Sequence, residues 1–401
     1  TPLYSSAASD VYKRQNSNYA ISYTINYEGS KIMVLKNRRT LATTASYSAS
    51  TTSSISLPRD FLIQRINLSM VGTPVITSSV STLVSGSPWA LMKYVRVKAV
   101  GEGSSKTIYE VKGEDLGNLN YFQYGTAVKM QNSPVSVATH TGLGNFNATL
   151  DFRVDTRDVD DFSTSIPSYL LSTLTLEIEW DTVALGYGNN TAFTGTLSVS
   201  LVEGIPEPSD PDFSNNPLQT TLYKELTGDS SSASVEDFST YFNVGALIRT
   251  SYLITETSSG VLSDGEIEYY TVTSGTIPLI SKQNFRDSKQ QDIEDWGLSA
   301  SGNTCIIDAG LTGGQVAGGT AKYLSPLMNQ PAISATSGLQ TVTGWTAIDF
   351  MNPLNPFIST EAGSEIDGLD TSSFNVGDLT LSLYKNNASS IIRTIQVSVE
   401  G

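Results

Sequence analysis

Histidine and cysteine each occur once in this 401-residue chain, as His140 and Cys305. One cysteine excludes an intrachain disulfide. One histidine leaves a His-dependent nucleophilic triad a single base, and His140 sits in the loop-like stretch Thr139-His140-Thr141-Gly142. We therefore expect His140 to be incidental rather than catalytic. The apolar run Cys305-Ile306-Ile307 is typical of a buried strand, which predicts an inert core thiol.

Charged residues are also scarce and make up 16% of the chain, against about 25% in an average globular domain. Ser, Thr, Gly and Asn take their place, and this composition favours short strands and turns over helices. The net charge of −15 excludes nucleic-acid binding through a generally basic surface. No apolar run approaches the ~20 residues that a membrane-spanning helix needs.

The beginning of the chain does not resemble part of a folded domain. Ser5 to Gln15 match the translation of a transposase-end adapter used in sequencing libraries, and we exclude them from fold reasoning. We expect the natural protein to start at Met33, which would make residues 1–32 an artefact of the adapter and translated upstream sequence. A genuine arm over residues 16–32 is the alternative.

Residues 33–57 are rich in Ser and Thr, and have little apolar surface to bury. They are predicted to form an N-terminal arm that stays flexible until something docks on it. This arm carries the one basic cluster of the chain, Lys36, Arg38 and Arg39. The cluster would face a membrane surface or the interior of an assembly, and a solvated arm is the alternative.

One pattern of segments occurs twice, in the same order, in the two halves of the chain. The matched pairs are Leu62-Ile63 with Leu247-Ile248, Asn132 and Pro134 with Asn329 and Pro331, Leu150-Asp151-Phe152 with Ile348-Asp349-Phe350, and Leu174-Thr175-Leu176 with Leu379-Thr380-Leu381. Each copy then ends on an alternating strand that closes with Glu-Gly. A repeat of this length is too long for a solenoid unit and indicates two copies of one folded domain.

The duplication sets the domain boundaries at 58–204 and 219–401, with a linker over 205–218. Its prolines cannot lie in the interior of a sheet and would stiffen the connection. Alternating apolar residues predict strands throughout, among them a hairpin around Gly101-Glu102-Gly103. Short helices are predicted between strands, over Asp115 to Leu119, Pro167 to Leu171 and Asp287 to Trp296.

This order, spacing and duplication resemble those of the double jelly-roll major capsid proteins of tailless icosahedral double-stranded DNA viruses, the lineage of tectivirus coat proteins and adenovirus hexon. The resemblance covers about 58–401, and it rests on the strand from Phe61 to Ile66, on Leu150-Asp151-Phe152 followed by Ile166-Pro167 and Leu174-Thr175-Leu176, and on the duplicate of that layout. It implies an all-β fold of two tandem eight-stranded jelly-roll sandwiches with short helices in the loops.

The resemblance also implies a structural, non-enzymatic role without a cofactor. Proteins of this family form homotrimers of pseudo-sixfold outline, because two domains in each of three subunits supply the six similar edges that hexagonal tiling needs. The trimers tile the virion capsid, commonly over an internal membrane, with penton and minor capsid proteins as further partners. Assembly in the host cytoplasm and no sequence-specific contact with nucleic acid are implied as well.

Two other readings of particular residues stay open. The cluster Asp155, Asp158, Asp160 and Asp161 offers oxygen ligands at a density that would suit calcium. The glycine and terminal glutamate of a helix-loop-helix calcium site are absent, so we expect a solvated acidic loop and no bound metal, with calcium as the alternative. A tandem β-sandwich adhesin, or a carbohydrate-active enzyme of the same architecture, is the alternative function. The enzyme would need a cleft lined by tryptophan with paired acids, whereas Trp89, Trp180, Trp296 and Trp345 are scattered and predicted to lie in the core.

Overall fold

The computed structural model describes residues 21–27, 30–76, 88–101, 104–125, 130–132, 140–141, 144–186, 190–206, 220–229, 238–260, 262–296, 305–306, 323–324, 344–351, 357–360, 363–387 and 389–400. The strands of the first half are β1 (Ile21–Tyr27), β2 (Ser30–Thr40), β3 (Ala45–Ser46), β4 (Thr52–Ser56), β5 (Leu62–Ile76), β6 (Met92–Gly101), β7 (Ser104–Lys112), β8 (Met130–Asn132), β9 (His140–Thr141), β10 (Gly144–Asp151), β11 (Ile166–Pro167), β12 (Thr173–Trp180) and β13 (Asn190–Pro206). Helices α1 (Gly113–Tyr124) and α2 (Val183–Gly186) and the 3-10 turns Trp89–Leu91 and Ser168–Leu170 lie among them.

The second half repeats this series. Its strands are β14 (Thr220–Asp229), β15 (Phe238–Tyr241), β16 (Leu247–Glu256), β17 (Ile267–Ser274), β18 (Ile277–Asn284), β19 (Cys305–Ile306), β20 (Tyr323–Leu324), β21 (Trp345–Asp349), β22 (Phe357–Thr360), β23 (Gly363–Ile366), β24 (Leu369–Asp370), β25 (Leu379–Lys385) and β26 (Ile391–Glu400). Helix α3 (Phe285–Trp296) follows β18.

The first half folds as a sandwich of two antiparallel sheets. One sheet has the order β2-β13-β5-β10 and the other the order β4-β12-β6-β7. Strand β12 shows why it faces a core: Leu174, Leu176 and Ile178 are buried, and they alternate with polar residues that stay partly exposed. The inward side chains of both sheets form one hydrophobic cluster, in which Leu68 and Val199 of one sheet join Val97 and Leu176 of the other.

The second half folds as a sandwich of the same plan. Its sheets have the orders β14-β26-β16-β21 and β15-β25-β17-β18. Ile248 and Leu253 from the first of these sheets and Val272 and Leu381 from the second share a separate hydrophobic cluster. Strand for strand, β14, β15, β16, β17, β18, β21, β25 and β26 take the places of β2, β4, β5, β6, β7, β10, β12 and β13, and α3 takes the place of α1.

This arrangement confirms the predicted all-β fold and most of the repeat. The paired segments Leu62-Ile63 and Leu247-Ile248 begin β5 and β16, which hold equivalent places. The paired segments that start at Leu174 and Leu379 likewise fall in β12 and β25. Pro134, Asn329 and Pro331 lie outside the described residues.

The prediction of a flexible arm over residues 33–57 is wrong. Strand β2 pairs with β13 from Val34 to Thr40, and β4 pairs along β12, so the segment supplies two of the eight strands of the first sandwich. The misleading signal was its low hydrophobicity, since only one side of each polar strand packs inward. Ile55 is fully covered between Ser54 and Ser56. The first domain therefore begins well before residue 58.

Two smaller expectations also need correction. The linker does not begin at Ile205, because β13 continues through Pro206, which pairs with Val34 at the end of the strand where a proline is tolerated. Residues 207–218 of the predicted linker lie outside the described residues. The helix predicted over Pro167 to Leu171 is a two-residue strand followed by a 3-10 turn, whereas the other two predicted helices are present and longer.

Candidate functional site at the domain junction

Helix α1 lies between the two sandwiches and is buried on nearly all sides. Glu114 and Asp115 occupy its first turn, where their negative charge interacts favourably with the positive end of the helix dipole. Gly125 ends the helix in the left-handed conformation at φ 66°, and its N–H donates to Tyr121 O at 2.8 Å. A helix buried in this way joins two layers rather than covering one.

Aromatic rings carry the hydrophobic contact across the junction. The ring of Phe122 at the end of α1 lies 5.3 Å from Tyr252 and 6.1 Å from Trp345, both on the outer face of the second domain's sheet. Trp296, the last residue of α3, completes the group at 6.2 Å from Phe122. Because Tyr252 and Trp345 belong to the hydrophobic cluster of the first sandwich, this cluster extends onto the outer face of the second sandwich, whose own core is separate.

The two domains also share a sheet. Strand β14 runs parallel to β7, with Tyr223 opposite Tyr109 and Lys224 opposite Glu110. The rings of Tyr109 and Tyr223 lie 5.0 Å apart. The result is an eight-stranded path, β21-β16-β26-β14-β7-β6-β12-β4, that crosses from one sandwich to the other.

Arg393 anchors a cluster of charges at the same junction. Its guanidinium donates from Nη1 to Asp115 Oδ2 at 2.5 Å and from Nη2 to Glu114 Oε1 at 3.2 Å, both in the first domain. From the second domain, Glu256 accepts from Nη2 and Nε, and Glu225 lies 3.4 Å from Nη1. Burial alone would lower the pKa of Arg393, but these carboxylates raise it well above its usual value.

Four carboxylates outnumber the two cations of this cluster, since Lys112 is the second cation, at 3.6 Å from Glu114. Burial, together with the neighbouring Asp115, raises the pKa of Glu114 to about 7. The side chain of Glu114 keeps 31% of its surface exposed, so water screens part of this effect. We therefore expect the charge of this cluster to change near neutral pH.

The acids of the loop considered for calcium accept hydrogen bonds or ion pairs from other groups of the chain. Asp161 is buried and accepts from the backbone N–H groups of Val154, Asp155 and Ser163, each at 2.9 Å. Burial raises the pKa of Asp161, and these hydrogen bonds work against that rise.

The other three acids of the loop have partners as well. Asp155 accepts from Arg157 N, Asp158 accepts from Asp160 N, and Asp160 pairs with Lys36 Nζ at 3.3 Å. Among the described residues no three acidic, histidine or cysteine side chains come together as a metal site.

The three basic residues of the predicted arm lie in different environments. Lys36 is buried beside Asp160, and burial lowers its pKa. Arg39 donates from Nε to Glu203 Oε2 at 3.0 Å and from Nη1 to Asp60 Oδ2 at 3.1 Å, and its bond to Glu203 raises its pKa. Arg38 is exposed. Contact of this cluster with a membrane or capsid interior stays a prediction.

His140 lies in the short strand β9, opposite Ile76 of β5, and not in a loop as its neighbours suggested. Cys305 lies in β19, as the prediction of a strand required. Trp89, Trp180 and Trp345 are buried in the core, which confirms that prediction, and Trp296 is half-buried against it. No helix in the described part of the chain is long and apolar enough to cross a membrane.

Sequence comparisons identify no relative: no protein-family model matches the chain, and no curated protein matches it. Solved structures do match. The chain superposes on the STIV MCP with a TM-score of 0.60 at 15% identity, over 91% of this chain and 96% of the other. The PBCV-1 virus capsid and the Faustovirus major capsid protein each give a TM-score of 0.51 at 9% identity, over 96% of this chain and 95% and 91% of theirs. The chain therefore has the double jelly-roll fold of these viral capsid proteins.

Proposed function

We propose that the chain is the major capsid protein of an icosahedral virus, and that three copies form a capsomer of pseudo-sixfold outline. The observation that carries the proposed trimer is a difference between the two domains: equivalent elements have a partner in one domain and lack it in the other, among the described residues. The first domain uses α1 and β7 to hold the second, through the aromatic core and the parallel pairing with β14. The second domain has the equivalent elements α3 and β18, and within the described ranges β18 pairs with β17 alone.

Strand β18 has the character of an unfilled interface. Its residues Ile277 and Leu279 are 64% and 43% exposed, and its free edge presents backbone donors and acceptors. Exposed apolar edge strands promote association and are normally covered or broken by charge in monomers. A second copy of the chain that presents the equivalent of β14 would cover this edge. The equivalent strand is β2 of the first domain, which pairs with β1 only as far as Lys36 and leaves the edge from Asn37 to Thr40 for such a contact.

One sheet of the first domain has a surface whose composition suits a protein interface. The residues of β5 and β13 that alternate with buried ones are uncharged along the middle of the sheet, as at Asn67, Ser69, Val71, Ser198 and Ser200. Depletion of charge is typical of the central part of protein interfaces. The contact we propose thus joins the second domain of one subunit to the first domain of the next. Repeated three times, such a heterologous contact closes a ring of six similar domains.

The proposal extends to location and partners. The capsomers would tile a virion shell with penton and minor capsid proteins after assembly in the host cytoplasm, and the end of the first domain that carries Arg38 would face an internal membrane. A carbohydrate-active enzyme has less support, because the buried positions of Trp89, Trp180 and Trp345 leave them unable to line an open cleft.

The solution mass of the chain tests the assembly step. We expect light scattering after size exclusion to give the mass of a trimer, and Leu279→Asp to shift the protein to monomers without loss of its thermal transition. Leu170→Asp is the matched control, because Leu170 is equally apolar and 61% exposed in the 3-10 turn before β12. A wild-type monomer, or equal effects of the two substitutions, would count against the proposed contact.

A further inference from the structure

A cavity of about 250 Å³ lies at the junction between the two domains. Its wall combines the end of α1, the acidic loop after β10, the bulged start of β16 and the end of α3. Arg157 and Asp295 at its rim are exposed, whereas Arg249 and Tyr252 are buried. The cavity therefore leads from the surface to a buried floor.

Arg249 belongs to this floor because of a break in strand register. Between Ile248 and Thr250 the pairing of β16 with β26 shifts by one residue, and Arg249 occupies the extra position. The bulge places Ile248 in the core of the second domain and Thr250 in the wall of the cavity. Arg249 itself is only 3% exposed.

The guanidinium of Arg249 has no carboxylate partner within 4 Å among the residues that the structure describes. Its Nη2 donates to Met351 Sδ at 2.8 Å, a weak acceptor, and its buried Nε has no hydrogen-bond partner in the described part of the chain. Burial lowers the pKa of Arg249 as a consequence. A buried charge left in this state is unfavourable unless something pairs with it.

The acids nearest the cavity have other partners. Asp151 holds Arg153 in a bidentate pair, with 2.9 Å from Nε to Oδ1, and Asp155 lies 3.4 Å from Arg157 Nε. Asp349 accepts from Trp296 and Thr250, and burial raises its pKa to about 7, so it carries only part of a charge at neutral pH. Asp295 at the rim is exposed to water.

We propose that this cavity binds a small oxyanion, of the size of phosphate or a carboxylate group, against the guanidinium of Arg249. The guanidinium of Arg249 lines the cavity and supplies the donors, and guanidinium groups match oxyanions in geometry and charge. Because the ligand touches both domains, its binding stabilises the junction. This inference does not depend on the capsid assignment.

Inorganic phosphate is the probe that tests the site. At constant ionic strength set with chloride, phosphate is expected to raise the thermal midpoint of the wild-type protein by about 2 °C in a saturable way. Isothermal titration is expected to give one phosphate per chain. Acetate in the same assay distinguishes a preference for phosphate from a general carboxylate site.

The variants separate binding from folding. Arg249→Met is expected to abolish the phosphate response and, without phosphate, to match or exceed the wild-type midpoint, because it removes an uncompensated buried charge. Arg249→Lys should keep a weaker response, since an ammonium is a point charge with fewer directed donors. Arg59→Met is the control, because Arg59 is exposed and bonds only to backbone oxygens of Leu171 and Ser172 among the described residues.

Three outcomes would overturn the proposal. The first is a wild-type protein whose midpoint and titration heat do not respond to phosphate or acetate. The second is an Arg249→Met variant that responds as the wild type does. The third is a large loss of stability in Arg249→Met without any anion present, which would mean that the chain itself already neutralises Arg249.

Discussion

Arg393 in the last strand of the chain donates to Asp115, at the start of α1, across 2.5 Å. The two residues lie 278 positions apart and belong to different domains. Around this bond the parallel pair β7 and β14 and the aromatic group at Phe122 make further contacts between the same two domains. These contacts hold the two domains of the double jelly roll against each other.

Replacing Arg393 should weaken this unit severely. In Arg393→Ala four carboxylates lose the buried cation that they surround, and we expect the free energy of unfolding to fall by about 3–5 kcal/mol. Urea denaturation followed by tryptophan fluorescence measures it. Arg38→Ala is the matched control: this arginine is exposed, and its loss should cost less than about 0.5 kcal/mol. Similar costs for both would show that the cluster does not hold the domains together.

Stability should increase as the pH falls from 8 towards 5. Burial raises the pKa of Asp349 from its ordinary 3.8 to about 7, and the hydrogen bonds from Trp296 and Thr250 only partly oppose this. At a pH between the ordinary and the raised pKa of Asp349, the folded chain holds a proton that the unfolded chain has released. A rising pH therefore favours unfolding. Glu114, with its pKa raised to about 7, acts in the same direction.

Asp349→Asn isolates the contribution of Asp349. The amide keeps an acceptor and cannot titrate, so the free energy of unfolding of the variant should vary less with pH between 8 and 5 than that of the wild type. Denaturation curves at four pH values in that interval provide the comparison. Parallel pH profiles for the two proteins would mean that Asp349 titrates normally.

Gly113, the first residue of α1, should not tolerate a side chain. A Cβ atom at this position would lie 1.9 Å from Met92 O and 2.3 Å from Trp89 O, both backbone atoms that cannot move independently. We expect Gly113→Ala to lower the free energy of unfolding by at least about 1–3 kcal/mol, the usual cost of overpacking.

Gly265→Ala is its control, because the nearest atom to a Cβ there is Ser263 Oγ at 3.7 Å. Thermal midpoints of the two variants answer the question. A Gly113→Ala protein as stable as Gly265→Ala would show that α1 begins differently.

Calcium should leave the protein unchanged. Asp161 already accepts hydrogen bonds from backbone N–H groups, and the other acids of its loop have partners of their own. Asp160, for example, pairs with Lys36. We therefore expect the thermal midpoint to be the same in millimolar calcium and in EDTA at equal ionic strength. A saturable rise with calcium, absent in Asp161→Asn, would restore the metal site.

Much of the fold follows from local pattern. The duplicated segments at Leu62 and Leu247 predicted two similar domains, and the alternation in β12 predicted a half-buried strand. Each of these signals can be recognised within short segments of the sequence. Strands β2 and β4 escaped prediction because their polar residues gain stability from pairing with β13 and β12, which lie far away in the sequence.

The junction could not be predicted for the same physical reason. The bond between Arg393 and Asp115 and the burial of Arg249 depend on how two domains meet, and no local pattern encodes that meeting. A lone arginine in an apolar strand was the only available signal for Arg249, and it also fits an exposed edge. The acidic loop shows a second limit, because a high density of carboxylates in the sequence does not reveal which backbone N–H groups will donate to them.

The shape of the assembled protein tests the central proposal most directly. Electron micrographs of purified particles, averaged without imposed symmetry, should show a threefold ring of six similar densities, with the first domain of each subunit against the second domain of the next. A monomer, or a trimer in which first domains meet only first domains, would contradict the account.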